Sequence, residues 1–218
     1  MGQIFRPRAT TFLRLALAAI PFVFAAVIGF GYQIHATPFY TDVGFAPEQP
    51  VPFSHKHHVG GLGLDCRYCH TSVENAAFAG MPPTATCMTC HSQLWTNAPM
   101  LEPVRASLRE GKPIRWNRVY QLPDYVYFDH AVHVNNGVGC SSCHGDMTTQ
   151  PLTMRKTPLT MGWCLSCHRA PGVHLRPADE IFDPHVPDPH NGPERAKALL
   201  HRYLIKTQNM TNCYVCHR

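Results

Sequence analysis

The longest run of apolar residues in the chain lies near its N-terminus. Residues 15–34 read LALAAIPFVFAAVIGFGYQI, and none of these 20 residues carries a formal charge. As a helix this run extends about 30 Å, the thickness of the hydrocarbon core of a bilayer. Arg6, Arg8 and Arg14 precede it, and a basic flank of this kind stays on the cytoplasmic side. We therefore expect a membrane anchor at residues 1–35, with a transmembrane helix over about residues 15–34 and the rest of the chain facing outward.

A cleaved signal peptide is the alternative interpretation of this run. The apolar region of a signal peptide is usually only about 7 to 15 residues long and ends at a cleavage site with small residues. Residues 35–37, HAT, are a poor match to such a site. Tyr32 and His35 suit the interfacial end of a membrane helix, and Pro21 is tolerable within one. We expect the anchor to be retained, with residues 36–52 as a linker.

Beyond the anchor, the hydrophobic pattern breaks into short pieces. The chain of 218 residues contains 20 Pro, 15 Gly, 15 His and 10 Cys, and only 15% of its residues are charged. Pro removes a backbone donor and Gly favours sharp reversals, so we expect loops and short helices. The formal charge of +5 comes from Lys and Arg spread singly along the chain, which indicates a solvated surface and no nucleic-acid partner. Something other than long helices or sheets must hold this chain together.

The cysteines supply the candidate for that role. All ten lie in five CxxC pairs, and His follows each pair immediately, at residues 66–70, 87–91, 140–144, 164–168 and 213–217. A CxxC pair alone also suits zinc, a redox dithiol or a disulfide, but those chemistries leave the five histidines without a reason. CxxCH is the attachment motif of c-type haem, in which two sulfurs form thioethers with one porphyrin and the His binds its iron.

The motifs therefore predict five covalently bound haem c groups. The expected thioether residues are Cys66, Cys69, Cys87, Cys90, Cys140, Cys143, Cys164, Cys167, Cys213 and Cys216. The expected proximal iron ligands are His70, His91, His144, His168 and His217.

An internal repeat indicates the two-haem modules of the chain. FSHKHHVGGLGLDCRYCH from Phe53 aligns with FDHAVHVNNGVGCSSCH from Phe128, so FxHxxH precedes CxxCH in both. A second CxxCH follows each unit at a similar interval. We expect one module at residues 53–127, a second at residues 128–192, and a C-terminal extension with the fifth haem at residues 193–218.

The same repeat offers distal ligands, which an electron-carrying haem needs because both of its axial positions are generally filled. The two His of HxxH share one face of a helical turn, too close to bind opposite sides of one iron. We expect them to serve two adjacent haems. The four candidates are His55, His58, His130 and His133, with His55 above the iron that His70 binds from below and His58 at a neighbouring haem.

For the fifth distal position we select His174, in CHRAPGVHLRP, because it lies close in sequence to two attachment sites. His201, on the amphipathic stretch of residues 193–207, is one alternative. A methionine is the other, and a His/Met haem has a raised potential; the candidates are Met147, Met154 and Met161. The remaining histidines are expected at the surface or beside haem propionates: His57, His185 and His190.

These motifs resemble known families. A membrane anchor followed by FxHxxH and CxxCH units is similar to the class III multihaem cytochromes. The segments that resemble more closely the pentahaem subunit of alternative complex III, a bacterial quinol:electron acceptor oxidoreductase, are PFSHKHHVGGLGLDCRYCHTSVE, TCMTCH, VYFDHAVHVNNGVGCSSCHG, LTMGWCLSCHR and TNCYVCHR. The resemblance covers nearly all of residues 53–218.

The resemblance implies a mostly irregular fold with short helices around stacked haems, attached to the bacterial cytoplasmic membrane by one helix, with the haem domain on the periplasmic side. It also implies an electron-transfer subunit that performs no bond chemistry on its own. The implied partners are an iron–sulfur subunit, a monohaem cytochrome c subunit and polytopic membrane subunits that oxidise quinol. Electrons pass from the quinol side to a cytochrome or another periplasmic acceptor.

Two other functions are alternatives. A membrane-anchored tetrahaem quinol dehydrogenase that feeds periplasmic nitrate or nitrite reductases also joins one helix to a haem domain, but this chain has a fifth motif and the FxHxxH duplication. A multihaem enzyme that reduces a small substrate needs an open iron position, whereas every motif here ends in His and distal candidates are plentiful.

Overall fold

The computed structural model describes residues 6–35, 37–186 and 189–217. The chain divides into two compact units, Met1–Asp42 and Val43–Arg218. The segment expected as a linker, residues 36–52, is therefore shared between the end of the first unit and the beginning of the second.

The first unit consists of helix α1, Pro7–His35, and the short helix α2, Pro38–Thr41. The 29 residues of α1 extend beyond the uncharged run because the helix begins at Pro7, where a missing N–H costs nothing. Its most apolar 18-residue window has a mean hydropathy of 2.2, and none of that window is buried. An exposed apolar helix of this length is suited to lipid, so α1 is a candidate membrane anchor.

The second unit is built from short helices and loops. Its helices are a π-helical turn Lys56–Gly61, α3 Cys66–Cys69, α4 Thr84–His91, α5 Glu102–Glu110, α6 His130–Asn135, α7 Ser141–His144, α8 Met161–Arg169, α9 Pro193–Arg202 and α10 Cys213–Cys216. Single 3₁₀ turns lie at Pro99–Leu101, Met147–Thr149, Pro171–Val173, Ala178–Glu180 and Thr207–Asn209. In the described part of the chain there is no β-strand, only an isolated antiparallel bridge between Val138 and Leu175. The expectation of loops and short helices is confirmed.

Side-chain caps determine where several of these helices begin. Asp65, Asp129 and Thr160 each accept a backbone N–H of the first turn, at the N-termini of α3, α6 and α8. Asp and Thr are preferred at this position because their oxygens satisfy an N–H that has no partner within the helix. Two of these helices begin at a functional motif, α3 at a CxxCH and α6 at an HxxH.

The apolar core of the second unit is small. Its two clusters of buried residues are Val51 with Leu101 and Val104, and Val73 with Val134 and Ile181. Nine hydrophobic side chains are buried in the whole described chain, which is few for a unit of this length. Burial between polypeptide segments therefore provides only part of the stability that the unit needs.

The two sequence repeats interlock. The backbone N–H of Lys56, within the first HxxH, donates to the carbonyl of Gln150, six residues after the third CxxCH (2.9 Å). The N–H of His130, in the second HxxH, donates to the carbonyl of Ala77, seven residues after the first CxxCH (3.1 Å). Each HxxH segment thus packs on the loop that follows a CxxCH of the other repeat. The modules expected from the repeat are joined within one compact unit.

Candidate haem sites

The five CxxCH motifs lie on short helical turns, and we number them sites 1 to 5 in sequence order. The motifs of sites 1, 3 and 5 coincide with α3, α7 and α10, and those of sites 2 and 4 occupy the C-terminal ends of α4 and α8. Residues i and i+3 share one face of a helical turn, so the two sulfurs of a pair can reach the same porphyrin edge.

Backbone carbonyls orient four of the five motif histidines through Nδ1. The distances from Nδ1 to the carbonyl oxygen are 2.7 Å for His70 and Gly80, 2.8 Å for His168 and Met210, 3.1 Å for His217 and Tyr125, and 3.2 Å for His91 and Leu94. Because a carbonyl can only accept, Nδ1 carries the hydrogen and the lone pair lies on Nε2. Histidines that bind metals are held in this way.

The HxxH histidines are held in a similar way. Nδ1 donates to a backbone carbonyl in three cases: His58 to Ser54 (2.8 Å), His130 to Ala77 (2.9 Å) and His133 to Asp129 (2.7 Å). In the fourth, Nδ1 of His55 is hydrogen-bonded to the hydroxyl of Thr153 at 3.1 Å. The Nε2 atoms of the carbonyl-bound rings are therefore free of a proton and able to bind a metal.

The Phe of each FxHxxH unit packs against its own histidines, a role that the sequence pattern did not assign. Phe53 stacks on His58 with ring centroids 4.4 Å apart and planes at 22°, and Phe128 stacks on His133 at 4.5 Å and 29°. Both phenylalanines also contact the first His of their unit edge-on. The repeated FxH spacing is the sequence signal from which this role could have been predicted.

Three HxxH rings face motif rings at one common separation. The ring centroids are 6.2 Å apart for His58 and His91, 6.4 Å for His130 and His144, and 6.1 Å for His133 and His168. Two imidazoles on opposite faces of one metal, each with a metal–nitrogen bond of about 2 Å, place their centroids about 6.3 Å apart. The residues therefore fit a metal held between each pair.

Comparison with known proteins shows the family to which the chain belongs. No protein-family model matches the chain. Over 203 residues, 91% of this chain and 80% of the relative, it is 32% identical to the menaquinone reductase multihaem cytochrome c subunit of Nitratidesulfovibrio vulgaris (strain Hildenborough). The chain belongs to the multihaem cytochrome c family. Covalently bound c-type haem is its cofactor, and the CxxCH motifs are the attachment chemistry of that family.

Membership of this family explains the small apolar core of the cytochrome. A haem macrocycle is a large apolar surface, and its attachment beside short helices adds burial that the nine buried hydrophobic side chains lack. The thioether bonds also join each porphyrin to the chain, which limits the conformational freedom of the unfolded state.

Burial keeps two histidines of the cytochrome, His55 and His144, neutral. It lowers the pKa of His55 to about 4, an effect that the nearby rings of His70 and His58 reinforce. It also lowers the pKa of His144 to about 4, with further contributions from His130, His70 and His55. A neutral imidazole has the lone pair that iron binding requires. His55 and His70 lie near enough for their rings to interact electrostatically, and both also interact with His144.

The fifth distal ligand stays a prediction. The ring of His174 lies beside that of His190, with centroids 6.2 Å apart and planes at 61°. The motif ring of site 5, His217, stacks on Tyr125 at 5.8 Å. Among the alternatives, His201 lies exposed on α9 and Met161 is 69% exposed at the start of α8.

Proposed function

We propose that this cytochrome holds five haem c groups and conducts electrons along them within a membrane-bound quinol:electron acceptor oxidoreductase that resembles alternative complex III. The proposed ligand pairs are His55 with His70, His58 with His91, His130 with His144, and His133 with His168; His174 is the candidate at site 5. The common separation of 6.1 to 6.4 Å in three of these pairs is the observation that carries the proposal.

The residues of the chain prepare these positions for electron transfer. Bound haem supplies a reversible one-electron couple at its iron. The Nδ1–H bonds to backbone carbonyls keep rings such as His70, His133 and His168 in one tautomer and one orientation, so the Nε2 lone pair of each would be available to the iron. A ligand on each side of the metal leaves no position for a substrate, which favours a role as an electron-transfer subunit.

The relative and the anchor support a place in a membrane complex. The relative is a subunit of a menaquinone reductase, so quinone-linked electron transfer is the shared chemistry. We propose that α1 spans the cytoplasmic membrane and that the haem unit lies in the periplasm. The proposed partners are an iron–sulfur subunit, a monohaem cytochrome c subunit and polytopic subunits that bind quinol.

Menaquinone reduction is the second candidate function, because the name of the relative assigns the quinone as electron acceptor. The two functions differ in the direction of electron flow. Potentials of the haems relative to the quinone decide that direction, and axial ligands, burial and nearby charge tune those potentials.

Purification of the cytochrome from native membranes tests the proposal. We expect co-migration with an iron–sulfur protein and large multispanning subunits, five haems per chain by the pyridine haemochrome assay, and reduction of the haems by a quinol analogue. Electron flow only from a periplasmic donor into menaquinone supports the second candidate. A soluble nitrate or nitrite reductase in the preparation instead supports the tetrahaem-type alternative and contradicts the proposal. A large high-spin fraction that binds nitrite supports a reductase.

A further inference from the structure

We propose that the five sites form a single row in the order 2, 1, 3, 4, 5, with sites 2 and 5 at its two ends. This order rests on the proposed function, and it differs from the order of the motifs along the chain. We infer it from contacts that join each site to the next, made by the CxxCH motifs, the HxxH histidines and the residues beside them.

Sites 2 and 1 are neighbours. The hydroxyl of Tyr68, between the two cysteines of site 1, shares a hydrogen bond of 2.9 Å with the hydroxyl of Thr89, between those of site 2. The first HxxH also joins them, since the ring of His58 faces His91 of site 2 while His55 interacts with His70 of site 1.

Sites 1 and 3 are neighbours across the two repeats. The side chains of Cys66 and Cys140 lie next to each other. Both residues also contact the same short segment: Sγ of Cys66 lies 4.0 Å from the carbonyl oxygen of Phe182, and the N–H of Cys140 donates to the carbonyl of Ile181 at 3.4 Å. This contact is between the first motifs of the two repeats.

Site 4 follows site 3 through the second HxxH. The ring of His130 faces His144 of site 3, and the ring of His133, one helical turn later on α6, faces His168 of site 4. The link repeats the arrangement of His55 and His58 between sites 1 and 2. The two repeats therefore place sites 1 and 3 together in the middle and sites 2 and 4 outside them.

Site 5 extends the row beyond site 4. Nδ1 of His168, the motif histidine of site 4, donates to the carbonyl of Met210, three residues before the site 5 motif (2.8 Å). The N–H of Tyr127, one residue before the second FxHxxH, donates to the carbonyl of Cys216 at 2.8 Å. Site 5 is thereby attached to both sides of site 4, the motif side and the HxxH side.

The solvent exposure of the motif residues independently indicates sites 2 and 5 as the two ends of the row. Cys90 of site 2 and Cys213 of site 5 are exposed, whereas the other eight motif cysteines are partly buried. At each of these sites an exposed aromatic ring also stacks on the motif histidine: Trp95, 58% exposed, on His91 and Tyr125, 65% exposed, on His217. Redox partners can approach these two sites from solvent, so electrons are expected to enter at one end of the row and leave at the other.

Single His→Met variants of the full-length chain test the order. Met in place of one axial His raises the reduction potential of that haem, so this haem is reduced first. The electron that it gains then lowers the reduction potentials of the haems next to it. The variants are His58→Met at site 2, His55→Met at site 1, His130→Met at site 3 and His133→Met at site 4. Each variant is titrated with a reductant and followed by EPR. The low-spin ferric signal that disappears in a variant is assigned to the haem at the substituted site.

We expect His58→Met to shift the potential of one other haem, the haem whose ferric signal disappears in His55→Met. We expect His133→Met to shift the potentials of two other haems. These are the haem whose signal disappears in His130→Met and the fifth haem, to which no variant is assigned. His57→Met, on the exposed neighbour of His58, is the matched control and should leave all signals and potentials unchanged.

The order is wrong if His58→Met shifts the site 4 or site 5 haem as strongly as the site 1 haem. If instead the variants leave every ferric signal unchanged, the ligand assignment in the proposed function fails, which is a distinct outcome. For a variant that loses its haem, pulsed dipolar EPR of the oxidised wild-type chain provides the second measurement. A row predicts four shortest iron–iron separations for five haems, and five or more equally short separations contradict it.

Discussion

The imidazole rings of His130 and His144 lie nearly parallel, with 10° between their planes and 6.4 Å between their centroids. Four residues, 136–139, separate α6 from the CxxCH motif of the same repeat, and Nδ1 of His130 donates to a backbone carbonyl of the other repeat. One repeat therefore supplies both rings of the pair, while the other repeat holds one of them in place.

Removal of one ring of this pair should open an iron position at one site. We expect His130→Ala to convert one haem from low-spin to high-spin and to create CO binding equivalent to about one haem per chain, because the proximal ligand alone remains. A CO difference spectrum measures this. His185→Ala is the control, since His185 lies outside the ligand pairs, and it should bind no more CO than the wild type. Equal CO binding in both variants contradicts the assignment of His130.

Loss of a central site should disturb the unit more than loss of an end site. The double variant Cys213→Ala, Cys216→Ala is expected to have one haem fewer and otherwise wild-type resistance to proteolysis, because site 5 contacts only one other site. The double variant Cys66→Ala, Cys69→Ala should lose more than one haem and become protease-sensitive, because site 1 contacts sites 2 and 3. Haem content per chain and limited proteolysis distinguish the two, and a site 1 variant with full resistance contradicts this prediction.

The π-helical turn that carries His58 packs too closely on the opposite repeat to accept a side chain at Gly60. A Cβ at Gly60 lies 2.6 Å from the backbone oxygen of Thr148, whereas a Cβ at Gly61 comes no closer than 3.8 Å to Lys56. We expect Gly60→Ala to destabilise the unit by about 1 to 3 kcal/mol through the forced backbone shift. Gly61→Ala is the matched control and should stay near the wild type. Denaturant unfolding followed in the Soret band measures both, and equal stability of the two variants argues against the interlocked repeats.

The anchor should be separable from the haem unit. We expect a chain that begins at Val43 behind a cleavable export signal to accumulate in the periplasmic fraction with an unchanged haem spectrum, because the second compact unit begins there. The full-length chain, expressed without partner subunits, should remain in the membrane after alkaline washing. N-terminal sequencing of the purified protein distinguishes a retained α1 from a cleaved signal peptide, and a mature chain that starts after residue 37 disproves the anchor.

The sequence by itself determined the chemistry of this protein, because that chemistry is local. Five CxxCH motifs specify attachment to haem, since two sulfurs three residues apart and an adjacent His act within a single helical turn. The abundance of Pro and Gly predicted short helices, which the described residues have. The uncharged run of 20 residues likewise predicted the apolar helix α1.

Only the tertiary structure decided which histidine faces which motif. His58 and His91 are 33 residues apart, His133 and His168 are 35 apart, and no local spacing relates the members of either pair. The contact of Cys66 with Cys140 and the donation from His168 to Met210 are likewise long-range. They depend on how loops between short helices close, and the closure reflects packing of the whole unit rather than the pattern of any one segment. Each motif of this cytochrome can therefore be identified from its own sequence, whereas the spatial order of the motifs depends on how the two repeats pack together.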